Sequence, residues 1–183
     1  RSRRMRDEKG FSLIELIVTV ALMAVVMAVV VIGMGAMTGM HARECAKDLD
    51  AALDQEKNYA LTKSGSVDCY MELKKEADGF YAEFYVPDKP VAKPGEITYI
   101  LIERKKVGKS SVAVACTFEG GVTLEIDEHQ SVKFYFDRVS GAFKECEYGG
   151  SKAFCREIRV TKNRVYLLSL VPATGKHTMV RES

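Results

Sequence analysis

The chain of 183 residues carries 27 Lys and Arg against 25 Asp and Glu, a formal net charge of +2, and 47% of it is apolar. That balance excludes a disordered polyelectrolyte and a histone-like basic binder, and the apolar share is large enough for a folded core. Both charge and hydropathy are unevenly placed along the chain, and the placement is informative.

The first ten residues hold Arg1, Arg3, Arg4, Arg6 and Lys9 against Asp7 and Glu8. Position 1 is not Met, so Met5 is the expected start and MRDEKG the expected leader. From Gly10 to Met40 the chain reads GFSLIELIVTVALMAVVMAVVVIGMGAMTGM, and the 25 residues from Leu16 to Met40 are uncharged. At about 1.5 Å per residue, such a helix can cross the roughly 30 Å hydrocarbon core of a bilayer. A removable secretory signal has a shorter apolar region of about 7 to 15 residues followed by a small-residue cut site. A buried helix needs more surrounding chain than remains here. The expectation is a single membrane span over 11–40. Basic residues before it and the balanced HARECAKDLD after it put the N-terminus in the cytoplasm and the remainder outside.

Glu15 is the one carboxylate in this apolar stretch. An ionised side chain in hydrocarbon costs at least about 2.5 kcal/mol, so such a group needs water or a partner. Its own helix offers no nearby cation. Two readings stay open: a solvated position at the headgroups, or a partner on a second copy of the chain.

The run KGFSLIELIVTVALMAVV resembles the prepilin processing motif of type IV pilins and type II secretion pseudopilins. The resemblance implies a cut after Gly10 by a membrane aspartyl prepilin peptidase and N-methylation of Phe11. It also implies an intersubunit pair between Glu15 and the amine of a neighbouring Phe11. It further implies a non-enzymatic filament subunit, anchored in the bacterial cytoplasmic membrane before assembly. The expected partners are other pilins, the prepilin peptidase, an assembly platform protein and membrane lipid. Gly at the cut also has a direct physical reason, since the lack of a side chain lets a protease approach the backbone. Many pilins carry a Pro at the mature position occupied here by Ile32; Gly33, Gly35 and Gly39 follow instead, weakening the helix by up to about 1 kcal/mol each.

Over residues 41–65, Ala42, Cys45, Ala46, Leu49, Ala52, Leu53 and Ala60 recur at three- and four-residue steps, an apolar stripe along the soluble half of the helix. Gly65 offers its stop. From residue 66 to 183 the period becomes two. VDCYMEL, GFYAEFYV, ITYILIE, SVAVACTF, SVKFYFD and RVYLLSL alternate, separated by turns such as ADG, EGG, RVSG and YGG. Seven or eight strands after one helix predict an α+β fold, an antiparallel sheet packed on the outer half of the helix. The segments FYFDRVSGAFKE and VYLLSLVPATGKHTMV are similar to GspH/FimT-type minor pseudopilins, which end in a strand after a TG[RK] turn.

The five cysteines lack C-x-x-C spacing and His41, His129 and His177 are scattered, so no zinc site is expected. Outside the cytoplasm disulfides persist. Cys146 and Cys155 flank a hairpin-like loop and are the first candidate pair; Cys69 and Cys116, on apolar strand faces, are the second, with Cys45 left over. The other reading is five reduced thiols. VGKSS lacks the first Gly of a phosphate loop, Ser151 in GGSKA lacks a nucleophile elbow, and Asp127, Glu128 and Asp137 read as a solvated edge. No enzyme and no cofactor are expected.

Residues 151–183 hold Lys152, Arg156, Arg159, Lys162, Arg164, Lys176 and Arg181 against Glu157 and Glu182, a net +5. Residues 1–40 sum to +2, which leaves −5 for 41–150. One reading is a head-to-tail match of basic and acidic faces between subunits. The other is DNA capture by Arg156, Arg159, Arg164, Lys176 and Arg181. Some FimT-type pilins bind DNA through a Gly-Arg-x-Arg tail, and the corresponding residues here, Gly175, Lys176, His177 and Thr178, depart from it.

Overall fold

The structure, a computed structural model, describes residues 13–65, 67–88 and 97–182, and residues 29–39 by their backbone alone. It is α+β. The helix α1 spans Leu13–Lys63. The chain divides into two compact units, residues 1–37 and 38–183.

In the first unit the described part is helix from Leu13 onward. Its side chains from 13 to 28 are exposed throughout, with no apolar contact face. Among the described residues no helix is long and apolar enough to cross a membrane. The described apolar run 13–28 falls short of the roughly 20 residues that a span requires.

In the second unit, α1 ends at Lys63, where the Ser64 amide donates to the Tyr59 carbonyl at 3.3 Å, two residues before the expected Gly65. The strands that follow are β1 (Tyr70–Glu76), β2 (Gly79–Pro87), β3 (Tyr99–Lys109), β4 (Ala113–Phe118), β5 (Thr123–Glu125), β6 (Ser131–Phe134), β7 (Cys146–Tyr148), β8 (Ser151–Ala153), β9 (Cys155–Lys162), β10 (Arg164–Val171) and β11 (Lys176–Arg181). They form two antiparallel sheets, ordered β3-β2-β1-β6-β7-β8 and β11-β10-β9-β4-β5. The expectation of one sheet with seven or eight strands is therefore corrected to two sheets with eleven described strands.

The physical reason is local. β5, β7 and β8 are three residues each, too short for an alternation to register. β9, CREIRVTK, looks polar, yet Cys155, Ile158 and Val160 point inward while Arg156 and Arg159 point to solvent. Gly149 and Gly150, with φ of 51° and 81°, close the β7–β8 hairpin in the left-handed conformation that a two-residue turn demands.

One core joins these layers. Every member of the expected helical stripe, Ala42, Cys45, Ala46, Leu49, Ala52, Leu53 and Ala60, is at most 1% exposed. They share an apolar cluster with Met71, Leu73, Phe80 and Phe84 of the first sheet and Val114, Ile158 and Leu168 of the second. The small Ala and Cys side chains let strands approach the helix closely: a Cβ placed on Gly108 would stand 2.6 Å from Cys45 Sγ.

Candidate functional site

Gly10 and Phe11, the expected cut and methylation positions, lie outside the described residues. Glu15 stands in the first turn of α1, where a negative side chain complements the helix dipole. Among the described residues it has no ion-pair partner. One turn on, the Thr19 hydroxyl donates to the carbonyls of Glu15 and Leu16, both at 2.9 Å, so the polar Thr is satisfied by its own backbone. The large apolar side chains around Glu15, from Leu13 at 80% exposed to Val18 at 50%, form a cylinder apolar on every side. A helix of that kind is stable only where lipid or other protein surrounds it. The arrangement offers a carboxylate at the end of an apolar rod, which suits intermolecular pairing and supplies no catalytic constellation.

The five cysteines are buried as free thiols. The structure brings three of them together: Cys116 and Cys146 both lie close enough to Cys155 to influence its titration or be influenced by it, and the Cys155 thiol donates to the Glu157 carbonyl at 3.5 Å. Cys69 has its Sγ 3.3 Å from the Ser64 hydroxyl, while the thiol beside Cys116 is that of Cys155. Burial pushes the Cys45 thiol up to about 12 and raises that of Cys69, while the neighbouring Cys116 thiol and then burial raise Cys155. Such thiols are poor nucleophiles.

The five C-terminal cations do not form one patch. Arg156 is held by Glu119 at 2.5 Å, and Arg159 lies between Glu157 and Glu182 at 3.6 and 4.0 Å. Lys176 opens β11 and Arg181 closes it, so they stand at opposite ends of one strand. Arg164 lies at the Arg181 end, since Tyr166 pairs with Arg181 and the Glu182 amide donates to the Val165 carbonyl at 3.1 Å.

Three features escaped the sequence reading. Glu56 is fully buried with neither carboxylate oxygen hydrogen-bonded, and burial pushes its pKa up to about 9. The signal was available, because position 56 falls between Leu53 and Ala60 on the apolar stripe. His177 is 5% exposed, with Nε2 3.2 Å from the Asp50 carbonyl and 3.4 and 3.5 Å from the carboxylates of Asp50 and Asp54, and so ties β11 to the helix. On the outer face of the first sheet, Tyr70 stacks on Tyr85 at 4.9 Å and meets Tyr99 and Tyr135 at 4.8 and 5.5 Å. Beneath them the buried Glu83 takes Lys74 at 2.9 Å, Arg104 at 3.4 Å and the Tyr85 hydroxyl at 2.7 Å. Alternation signals that these residues share a face but not that the rings touch. A groove of about 450 Å³ beside Tyr135, lined by Asp68, Phe143, Lys144, Glu145 and Glu147 among others, holds two ion pairs: Lys144 with Asp68 at 2.6 Å and Lys152 with Glu147 at 2.7 Å. No group of three or more His, Cys, Asp or Glu among the described residues is arranged to hold a metal.

No curated protein and no solved structure matches the chain. Residues 5–37 match the family model described as the prokaryotic N-terminal methylation motif, and with the lone first-turn carboxylate on an uncovered apolar helix this match supports the type IV pilin or pseudopilin class.

Proposed function

We propose that this chain is a minor pilin or pseudopilin, a structural subunit rather than an enzyme. It is processed after Gly10, methylated on Phe11 and assembled into, or priming or capping, a type IV pilus or type II secretion pseudopilus. Before assembly it sits in the bacterial cytoplasmic membrane by a single span over 11–40, with its head outside. The observation that carries the reading is the coincidence of the methylation-motif match with an apolar helix, uncovered on all sides, that bears one carboxylate in its first turn. In a filament the apolar surface is covered by the helices of neighbours, and Glu15 meets the amine of another subunit's Phe11. The prepilin peptidase and an assembly platform protein are the remaining partners. Similarity to the GspH/FimT branch rests on the C-terminal segments alone.

A DNA-capturing tip pilin is the second reading, favoured by the excess of cations in residues 151–183. It is the weaker one, because Arg156 and Arg159 are occupied by carboxylates and Lys176 stands far from Arg181. Processing tests the first reading. Intact-mass analysis of the mature protein is expected to begin at Phe11 with one added methyl, and Gly10→Val to accumulate the uncut form. Mature protein that retains its leader overturns the assignment.

A further inference from the structure

The second unit gathers cations around the helical turn at its start. His41 stands on that turn, and its Nε2 is 3.5 Å from Lys109 Nζ. Lys109 ends β3 and begins the turn to β4, where the Ser111 hydroxyl accepts from Lys162 Nζ at 2.6 Å. Lys162 pairs across the β9–β10 turn with Arg164, and Arg181 closes β11 beside it. Three separate chain segments therefore deliver Lys109, Lys162, Arg164 and Arg181 to one rim.

Asp78 and Glu182 are engaged away from these four cations, while Glu44 and Asp48 line the groove beside His41 and Lys109. Glu44 is 3.5 Å from His41, Asp78 takes Lys106 at 2.7 Å, and Glu182 leans to Arg159 at 4.0 Å. Among the described residues no carboxylate pairs with Lys109, Lys162, Arg164 or Arg181, and three of the four are exposed. Natural surfaces usually intersperse both signs; here four cations outnumber the neighbouring Glu44 and Asp48, so the rim is net positive and has a field to offer.

We propose that this rim docks on anionic phospholipid headgroups at the surface of the bilayer that holds the span, seating the head before assembly. The inference rests on the membrane reading above, under which Met40 ends the span and His41 is the first residue beyond it. Charge complementarity selects the occupant. A juxtamembrane cluster of Lys and Arg is attracted to an anionic surface and loses that attraction within about one Debye length.

The test uses the full chain in nanodiscs of phosphatidylcholine alone or with added phosphatidylglycerol, with lysine acetylation read by mass spectrometry. Lys109 and Lys162 are expected to label at least about threefold more slowly in the anionic discs, from the attraction expected per basic residue. Lys63, at the C-terminal end of α1, and Lys176, at the far end of β11 from Arg181, should label equally in both. Joint Arg164→Glu and Arg181→Glu should abolish the difference, and Arg164→Lys with Arg181→Lys should restore it. Equal labelling in the two discs overturns the docking while leaving the span intact. A chain that enters neither disc overturns the membrane reading and the docking with it. If a 20-bp DNA duplex added to neutral discs protects Lys109 and Lys162 and anionic lipid does not, the rim is a nucleic-acid surface and the lipid assignment is wrong.

Discussion

Residues 13–28 and 42–60 belong to one helix, yet they meet the problem of apolar surface in opposite ways. In the first stretch Leu, Ile, Val and Met occupy every side and all remain exposed; in the second, apolar residues fall on one stripe and that stripe is fully buried. The stripe needs a single covering surface, which the chain supplies from its own sheets. An all-round apolar helix needs cover on every side, and the side chains described over 13–28 have none. The contrast locates what is intramolecular and what is left for lipid or other subunits: the head completes itself, and the N-terminal helix does not.

The sharpest way to break that comparison is at Glu15. If its partner is the amine of a neighbouring Phe11, Glu15→Leu removes one member of a buried pair, a loss of about 3 to 5 kcal/mol at the contact. Membrane insertion should be unharmed, because a desolvation cost of at least about 2.5 kcal/mol disappears. Crosslinking to partner pilins in membranes should therefore fall sharply for Glu15→Leu and less for Glu15→Asp, with protein level and processing unchanged. Crosslinking at the wild-type level would show that the carboxylate has no intersubunit role, or that this subunit occupies an end position with no neighbour on that side.

The next effect separates the two stretches directly. Leu53→Ala deletes fully buried methyl groups from the shared core and should cost about 2 to 5 kcal/mol of head stability. Leu22→Ala, at an exposed site of the first stretch, should leave head unfolding unchanged. Denaturant unfolding of the full chain in detergent, followed by tyrosine fluorescence, reads both. Equal losses would mean that the two regions unfold as one cooperative body.

The difference between the stretches also explains what was legible in the sequence. The seven stripe residues were readable because a helix repeats its face every three or four positions over many turns, and each proved buried. β2, β4 and β10 were readable because they alternate for six residues or more. What did not show was pairing between segments. That Cys116 lies beside Cys155, that His177 reaches Asp50 and Asp54, and that two sheets close over the helix are set by long-range register, which local period does not encode. The basic rim illustrates the same limit: summing charge over residues 151–183 found the excess but mixed Arg164 and Arg181 with Arg156 and Lys176, which point to other places, and omitted Lys109.

Glu56 marks the place where the self-completing half of the helix breaks its own pattern, and its consequence is a pH dependence. Its carboxylate is enclosed by apolar core, and neither oxygen has a hydrogen-bond partner. Burial raises its pKa from 4.5 to about 9, so the folded protein keeps a proton there that the unfolded chain releases. Between those two values the native state binds more protons than the unfolded one, and stability must fall as pH rises, by about 1.4 kcal/mol per pH unit at most from this one group. Below about pH 4.5 both states are protonated and the penalty vanishes. Glu56→Gln keeps the shape and removes the titration. Its stability should stay near that of the wild type at pH 4.5 and rise above it by a few kcal/mol at pH 8, the gap widening steadily between them. Urea unfolding of both proteins across pH 4.5 to 8.5 measures that gap. A gap that does not grow with pH would mean that Glu56 is ionised in the fold, with water or a neighbouring subunit reaching the carboxylate.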